Sequence, residues 1–556
     1  MRADLLLRDG RILDLFSGTF FRGDIAISDG RIAGFGASDP GEVRDLRGRW
    51  VVPGLIDSHV HIESSQLSPA GFVRAVLPHG TTCVIADPHE IANVLGIRGI
   101  RYMLDATEGL PFRAYFMAPS CVPASPYETS GAVLDHGKIA EVLAFDRVLG
   151  LGEVMNYPGV VGGDPEVMAK LAAAAGRPID GHAPGLSAEA LWSYVSAGPR
   201  TDHECTSLAE AEEKLRAGMH ILIREGTTAR NLDTLLPLLT EGRAPFVHLC
   251  TDDRHPETLL DEGHIDGLVR RAISSGVPAH VAIGAATIHT ARAYGLDDIG
   301  AIAPGYRADL IVLDDLERFE VGEVYVGGRR VAADGACTVE IPTIDSTPVS
   351  NTVRIDLDRL SLSIPCEEGV EARVIGVDPE QVITGSLLEA PACSDSEVVS
   401  DPKRDLLKLA VVERQGKGGS VGLGLVRGFG LKRGALGSTV AHDSHNAIVV
   451  GCSDREILAA IAALSRIGGG QVVVAGEEVL ASHPLPIAGL MSDRPLEEVA
   501  ASARRLNAAA AELGSLLPAP FMTLSFLALP VIPHLKLTDR GLVDVDSFKI
   551  VPLFAG

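Results

Sequence analysis

The stretch from Val51 to Ser65, VVPGLIDSHVHIESS, carries an apolar run into two histidines, His59 and His61. Side chains two residues apart on a β-strand point to the same face, so this His-x-His pair can offer two imidazoles to one metal ion. More ligand-type side chains follow at what read as the ends of later strands. Glu153 closes the fourth (GEVMN), His182 the fifth (DGHAPG), His203 the sixth (TDHECT) and Asp252 the eighth (CTDDRHP). Asp253 competes for the last position; Asp252 is preferred as the residue nearer the buried end of its strand. Taken singly, each reads equally as a hydrogen-bonded strand-end residue or an ion-pair partner. Four imidazoles and two carboxylates at the same end of so many strands point instead to a metal centre. The set holds no thiolate, so Mn2+ or Fe2+ is expected ahead of Zn2+. Six ligands exceed one tetrahedral site, and two divalent ions per chain sharing a carboxylate and a hydroxide would use them all.

The elements that must position these residues are legible in the apolar pattern. From 51 to about 305, apolar strands alternate with Ala/Leu-rich helical stretches, with strand candidates at 51–60, 81–87, 113–121, 148–155, 178–182, 200–205, 218–225 and 245–252. Eight strand-then-helix units over about 250 residues match a (β/α)8 TIM barrel, whose chemistry gathers at the C-terminal strand ends. A doubly wound open sheet would need fewer strands. Residues 1–50 read as short strands broken by Asp9-Gly10 and Asp29-Gly30, dipeptides that favour hairpins. The strand pattern returns over 306–350, so these two segments are expected to join as one small β-sandwich domain interrupted by the barrel. Residues 351–556 form a further α/β unit, with strands in HNAIVVGC and GGGQVVVAG and helices over 455–467 and 496–514. The glycine-rich run 416–430 matches no phosphate-loop pattern and reads as turn and strand packing.

Composition sets outer bounds. At about 150 residues per domain, 556 residues make three or four domains. Hydrophobic residues at 46% and charged residues at 22% are ordinary for a soluble protein. A net charge of -24 argues against a nucleic-acid backbone as partner, though not against a small nucleobase. No apolar stretch reaches the ~20 residues of a membrane span. The start, MRADLLLRDGRILD, is charged where a signal peptide needs an apolar core. Eight scattered cysteines without a CxxC pair suit a reducing cytoplasm. A homo-oligomer, taken as a dimer, is the expected assembly.

The ordered set His-x-His, Glu, His, His, Asp resembles the amidohydrolase superfamily. The flanking text PGLIDSHVHIESS, LPHGTTCVIADPHEIANVLG, GLGEVMNYPGV, IDGHAPG, IREGTTARNL and CTDDRHP is similar to the bacterial adenine deaminases. The likeness covers nearly the whole chain, including VAHDSHNAIVVG, GGGQVVV and LTDRGLVD of a C-terminal unit that other amidohydrolases lack. It implies a metal-dependent conversion of adenine and water to hypoxanthine and ammonia. Two bridging cations lower the pKa of water from about 15.7 toward ~7, and Asp252 beside the resulting hydroxide is placed to accept its proton. Many cyclic-amide hydrolases of the superfamily bridge their metals with a carboxylated lysine. VLGLGEVMN offers none, so Glu153 must take that place.

Related deaminases carry a Glu three residues after the fifth-strand His, where this chain has Gly185. The proton shuttle must come from elsewhere, and the turn Asp87-Pro88-His89-Glu90 is the candidate, with Asp87 and Glu90 as the groups of choice. The same residues also fit a helix N-cap with a capping box. His61-Ile62-Glu63 matches the H-x-E of zinc nucleobase deaminases, but the P-C-x-x-C of that fold is absent. His442 and His445 read as a structural loop, with a lid or separate metal site as alternatives. Arg224-Glu225 suits base recognition or an internal ion pair equally. The competing functions are a cyclic-amide hydrolase or deacetylase on the same barrel, and a non-catalytic, metal-stabilised binding protein.

Overall fold

Three stretches of the chain differ in apolar period, and each builds a different kind of sheet. The computed structural model describes residues 2–37, 39–367, 369–379 and 382–555. In the first stretch, Arg2–Asp14, Thr19–Ser28 and Arg31–Phe35 pair as an antiparallel meander. Of the two expected Asp-Gly hairpins, Asp29-Gly30 turns the chain and Asp9-Gly10 does not. The latter lies inside the first strand as a bulge, with Asp9 at φ 58° and the register shifting between Leu7 and Gly10. Asp24 on the neighbouring strand accepts the Asp9 amide at 2.8 Å, so the extra residue is absorbed without reversing the chain.

Trp50–Pro53 runs parallel to the first strand and antiparallel to Leu310–Asp315. Through that pair, segments on both sides of the middle stretch join one nine-stranded sheet. Arg44 and Arg49 clamp it by donating to Glu323 at 2.7 and 2.6 Å.

The strand candidates of the middle stretch form, shorter at their ends than the apolar runs, but the first, 51–60, divides at Gly54, and its start belongs to the strand Trp50–Pro53 of the nine-stranded sheet. β1 (Leu55–Val60), β2 (Thr81–Ala86), β3 (Arg113–Ala118), β4 (Val148–Val154) and β5 (Ile179–Gly181) make a curved parallel sheet in chain order. β6 (Thr201–Asp202), β7 (His220–Arg224) and β8 (Val247–Cys250) make a second parallel sheet. The Arg200 amide donates to Ile179 O at 3.0 Å, and the Asp252 amide to His59 O at 3.0 Å. The two sheets therefore meet at both edges. Every residue of β1, β2 and β8 is buried, which explains why these strands read as unbroken apolar runs.

The C-terminal part is an eight-stranded, largely antiparallel sheet around Leu407–Val412, which pairs with Val421–Arg427 and Ala447–Gly451. The helix Asp454–Ile467 buries Ile457, Ala460, Ile461 and Leu464 against it. The helix Leu496–Glu512 reaches across to the middle part, where Arg504 donates to Asp261 at 2.6 Å. Within the glycine-rich run, a Cβ on Gly422 would lie 1.8 Å from Thr538 O, so glycine there permits close strand packing. The expectation of unpaired cysteines needs one correction. Cys366 and Cys393, distant in sequence, are brought to a Cα–Cα separation of 6.1 Å and form a disulfide, while six cysteines stay free. Among the described residues no helix is long and apolar enough to cross a membrane.

Candidate metal centre and active site

The predicted ligand residues converge at one end of the parallel strands. β1 ends at Val60, so His59 and His61 leave the strand on the same side, with their Nε2 atoms 3.2 Å apart. His61 Nδ1 lies 2.9 Å from Asp87 O. A carbonyl can only accept, so Nδ1 carries the proton and Nε2 turns its lone pair inward, the usual arrangement of a metal-ligating histidine. Glu153 sits at the centre, with each oxygen facing different histidines. Its Oε1 is 3.3 Å from His61 Nε2 and 3.8 Å from His59 Nε2. Its Oε2 is 2.7 Å from His182 Nδ1 and 3.4 Å from His203 Nε2.

Asp252 closes the ring from β8. Its Oδ1 lies 3.1 Å from His61 Nε2 and 3.4 Å from His59 Nε2. Its backbone is in the left-handed region at φ 55°, a strained setting for a non-glycine residue, held by the Asp252 amide to His59 O and the His61 amide to Asp252 O. Asp253 stands beside the ring: its Oδ1 accepts from Ser64 Oγ at 2.6 Å, and its carboxylate lies within 4.8 Å of ligand atoms of His61 and Asp252. Three groups, His59/His61/Glu153, His59/His203/Asp252 and Glu153/His182/His203, each bring ligand atoms within 4.8 Å of one another.

Electrostatics around this cluster calls for positive charge. Burial would raise the Glu153 carboxyl, yet hydrogen bonds from His182, His203 and His61 hold it well below the usual range. Asp252 is also held low against burial, by Arg224 and His59. Burial disfavours charge on His61, but Asp252 and Glu153 outweigh it and raise its pKa well above the histidine norm. His59 goes the other way, to about 4, through burial and the neighbouring His203. Arg224 is the one fixed cation among the described lining residues. It pairs with Glu204 and, at 2.8 Å, with Asp252. Without a metal the ionised carboxylates hold protons on His61, His182 and His203; imidazole and carboxylate donors converging with one fixed cation are the set in which divalent ions can take the place of those protons.

The turn after β2 departs from expectation in a useful way. The helix begins at His89 with Pro88 at its N-cap and no side-chain cap. Asp87 does not cap it; its Oδ2 accepts the Glu153 amide at 3.0 Å instead, because the β4 end lies closer than the helix N–H groups. Burial pushes the Asp87 carboxyl up to about 6. Glu90 turns toward Ser64 Oγ (2.7 Å) and His445 Nε2 (3.7 Å). His89 is the member of this turn that lines the cavity, 3.3 Å from Glu153 Oε1 and 3.7 Å from Asp443 Oδ1. Gly185 lies outside the cavity lining, its amide donating to Glu210. Of the pair Arg224-Glu225, Arg224 enters the site, whereas Glu225 faces away to Arg271 and the Leu232 amide, as alternation along β7 dictates.

Sequence reasoning missed Glu204, 3.3 Å from His203 Nε2, although it follows His203 directly in the motif DHE. It also missed the C-terminal contribution. Of His442 and His445, read as a structural loop with a lid as an alternative, His442 lines the cavity with Asp443, Met522, Phe526, Leu529 and Ile532, while His445 faces Glu90. Phe526 stacks on His442 at 4.6 Å and 17°. The result is a polar floor from the strand ends under an apolar wall.

Residues 50–331 match the amidohydrolase family, and residues 381–549 match the adenine deaminase C-terminal domain. An adenine deaminase of Desulfatibacillum aliphaticivorans is 49% identical, covering 99% of this chain and 97% of its own length. An adenine deaminase of Methanothrix thermoacetophila is 51% identical, covering 100% of this chain and 97% of its own length. Among solved structures, a beta-aspartyl dipeptidase from Fervidobacterium islandicum aligns at 16% identity and a TM-score of 0.46, covering 60% of this chain and 98% of that one.

Proposed function

The chain belongs to the adenine deaminases of the amidohydrolase superfamily, and from that premise we propose that it hydrolyses adenine to hypoxanthine and ammonia at the cluster around Glu153. The observation that carries the reading is the placement of the two Glu153 oxygens, each toward a different pair of histidines. Two divalent ions fit this donor set. His59, His61 and Asp252 would hold one and His182 and His203 the other, with Glu153 between them. Mn2+ or Fe2+ suits the imidazole and carboxylate donors, with Zn2+ as the alternative. When bound, the ions supply a water of lowered pKa as nucleophile and polarise what it attacks.

The chain's own residues do the rest. Asp252, kept ionised by Arg224, accepts the proton of the attacking water. His89 faces the cavity with Asp87 behind it at 3.8 Å, and this pair delivers protons to the ring nitrogen and the departing amine. Glu90 joins through Ser64, positioning the turn and completing the acid–base set. The Phe526 and Met522 wall excludes water and meets the purine face.

This reading places the eight strands in one (β/α)8 barrel over 51–305. The barrel is inserted in a small β-sandwich formed by 1–50 and 306–350, and the 351–556 unit follows as the wall of the site. The shared nine-stranded sheet and the two edge contacts between the parallel sheets support that division. A cytoplasmic location is proposed from the six free cysteines, four of them buried, the Cys366–Cys393 disulfide being the feature that points the other way. A homodimer is the proposed assembly, to be checked by light scattering.

Ammonia release from adenine, adenosine and a panel of cyclic amides tests the function. Preference for free adenine is expected. A preference for adenosine or a cyclic amide would overturn the substrate while leaving the metal centre intact. β4 carries no lysine, which disfavours the cyclic-amide hydrolases.

A further inference from the structure

A second cavity, of about 230 Å3, lies in the seam between the middle and C-terminal parts. It shares Met522 with the active-site cavity, and Thr227 lines it where Thr228 lines the other. Three residues with carboxamide side chains line it: Gln66 from the loop after β1, Gln471 from the strand Gly470–Ala475 and Asn507 from the helix Leu496–Glu512.

Gln66 is held there by both parts of the molecule. Its backbone is left-handed at φ 58°, its amide donates to Glu63 O, and its carbonyl accepts the Ser492 amide at 2.8 Å. The residue is 2% exposed, and its Oε1 has no hydrogen-bond partner among the described residues. Buried polar atoms are seldom left unpaired in native proteins. Glu257 Oε2 is a second such atom on the same lining, while Glu257 Oε1 takes the Asn507 amide at 3.3 Å. Phe521, nearly buried, adds an aromatic surface.

We propose that this cavity is an accessory binding site for a neutral purine base, adenine or hypoxanthine. The choice of a purine rests on the function proposed above; the existence of the site rests on the cavity and the carboxamide residues that line it. A carboxamide matches the adjacent donor and acceptor of a purine edge in a bidentate pair. Glu257, on the same lining, brings a carboxylate acceptor beside these amides. Arg504 is the one fixed cation among the described lining residues, and Asp261 engages it at 2.6 Å, so a nucleotide phosphate finds no free counter-charge. The dimensions fall below the roughly 300–1,000 Å3 of drug-sized pockets, in keeping with a bare base.

Equilibrium dialysis of the holoenzyme against labelled hypoxanthine, with adenine turnover followed in parallel, tests the site. The wild type is expected to bind two bases per chain. Gln471→Leu removes one carboxamide, and Ala503→Phe fills the cavity from the helix face. Each is expected to bind one base per chain with kcat for adenine changed less than about twofold. One base per chain in the wild type, or two that both variants retain, would overturn the proposal. Loss of adenine turnover in the wild type would instead refute the proposed reaction, since the stoichiometry is read separately. Should both variants melt early, wild-type crystals soaked in hypoxanthine decide: density in both cavities supports the site, and density in the active site alone refutes it.

Discussion

Lys214→Met tests how the strand ends that carry the histidines are held in place. The Lys214 ammonium is fully buried and donates to Asp202 Oδ2 (2.9 Å), Glu210 Oε1 (2.8 Å) and Ala183 O (2.7 Å). Asp202 Oδ1 in turn accepts the Ala183 amide at 2.9 Å. One cation thus ties the loop after β5, which carries His182, to the loop after β6, which carries His203. Methionine keeps the volume and removes the charge, leaving the buried Asp202 carboxylate unpaired. Deleting one partner of such a pair costs about 3–5 kcal/mol. At roughly 2–4 °C per kcal/mol for a unit of about 250 residues, the unfolding transition of the part that carries these strands should fall by about 6–20 °C. Replacing both partners by apolar residues is often close to neutral, so Lys214→Met/Asp202→Leu should recover about half of the loss. Thermal and urea unfolding followed by circular dichroism provide the assay. A loss below about 1 kcal/mol in the single variant, or a double variant no better than the single, would refute this reasoning.

Three further outcomes follow from the geometry. Asp87→Asn should lower turnover roughly 10²–10⁴-fold with metal content unchanged, because its carboxyl, titrating near 6, stands behind His89; near-normal turnover would move the shuttle elsewhere. Glu90→Gln, facing Ser64 and His445, should cost less than Asp87→Asn on the same assay, and the reverse order would make Glu90 the principal acid. Glu323, opposed by burial but held near 2 by Arg44 and Arg49, has a depressed pKa. Its stabilising contribution is therefore complete above about 4.5 and lost as pH falls toward 2. Glu323→Gln should cost about 1–2 kcal/mol near neutral pH after allowance for the partial exposure of its arginine partners, and an acid-unfolding midpoint identical to wild type would contradict the clamp.

The residues that read clearly from sequence are those set by the backbone alone. His59 and His61 share a face because strands alternate, and Glu153, His182, His203 and Asp252 follow because each closes an apolar strand. The same alternation would have sent Glu225 away from the site had β7 been phased on Arg224. What sequence could not supply depends on contacts between distant segments. Asp87 reads as an N-cap until β4 places the Glu153 amide beside it. Asp9-Gly10 reads as a hairpin until Asp24 stabilises it as a bulge. The apolar wall of the active site comes from Met522, Phe526 and Leu529, more than 250 residues from the strands it covers, and no local pattern announces that packing.

The most direct test of the account pairs elemental analysis with ammonia release from adenine, on wild type and Glu153→Gln purified without chelator. The account predicts two divalent ions per wild-type chain, and metal content and turnover falling together when the central carboxylate loses its charge. One ion or fewer with full activity, or a Glu153→Gln variant that keeps both ions and a normal rate, would contradict it.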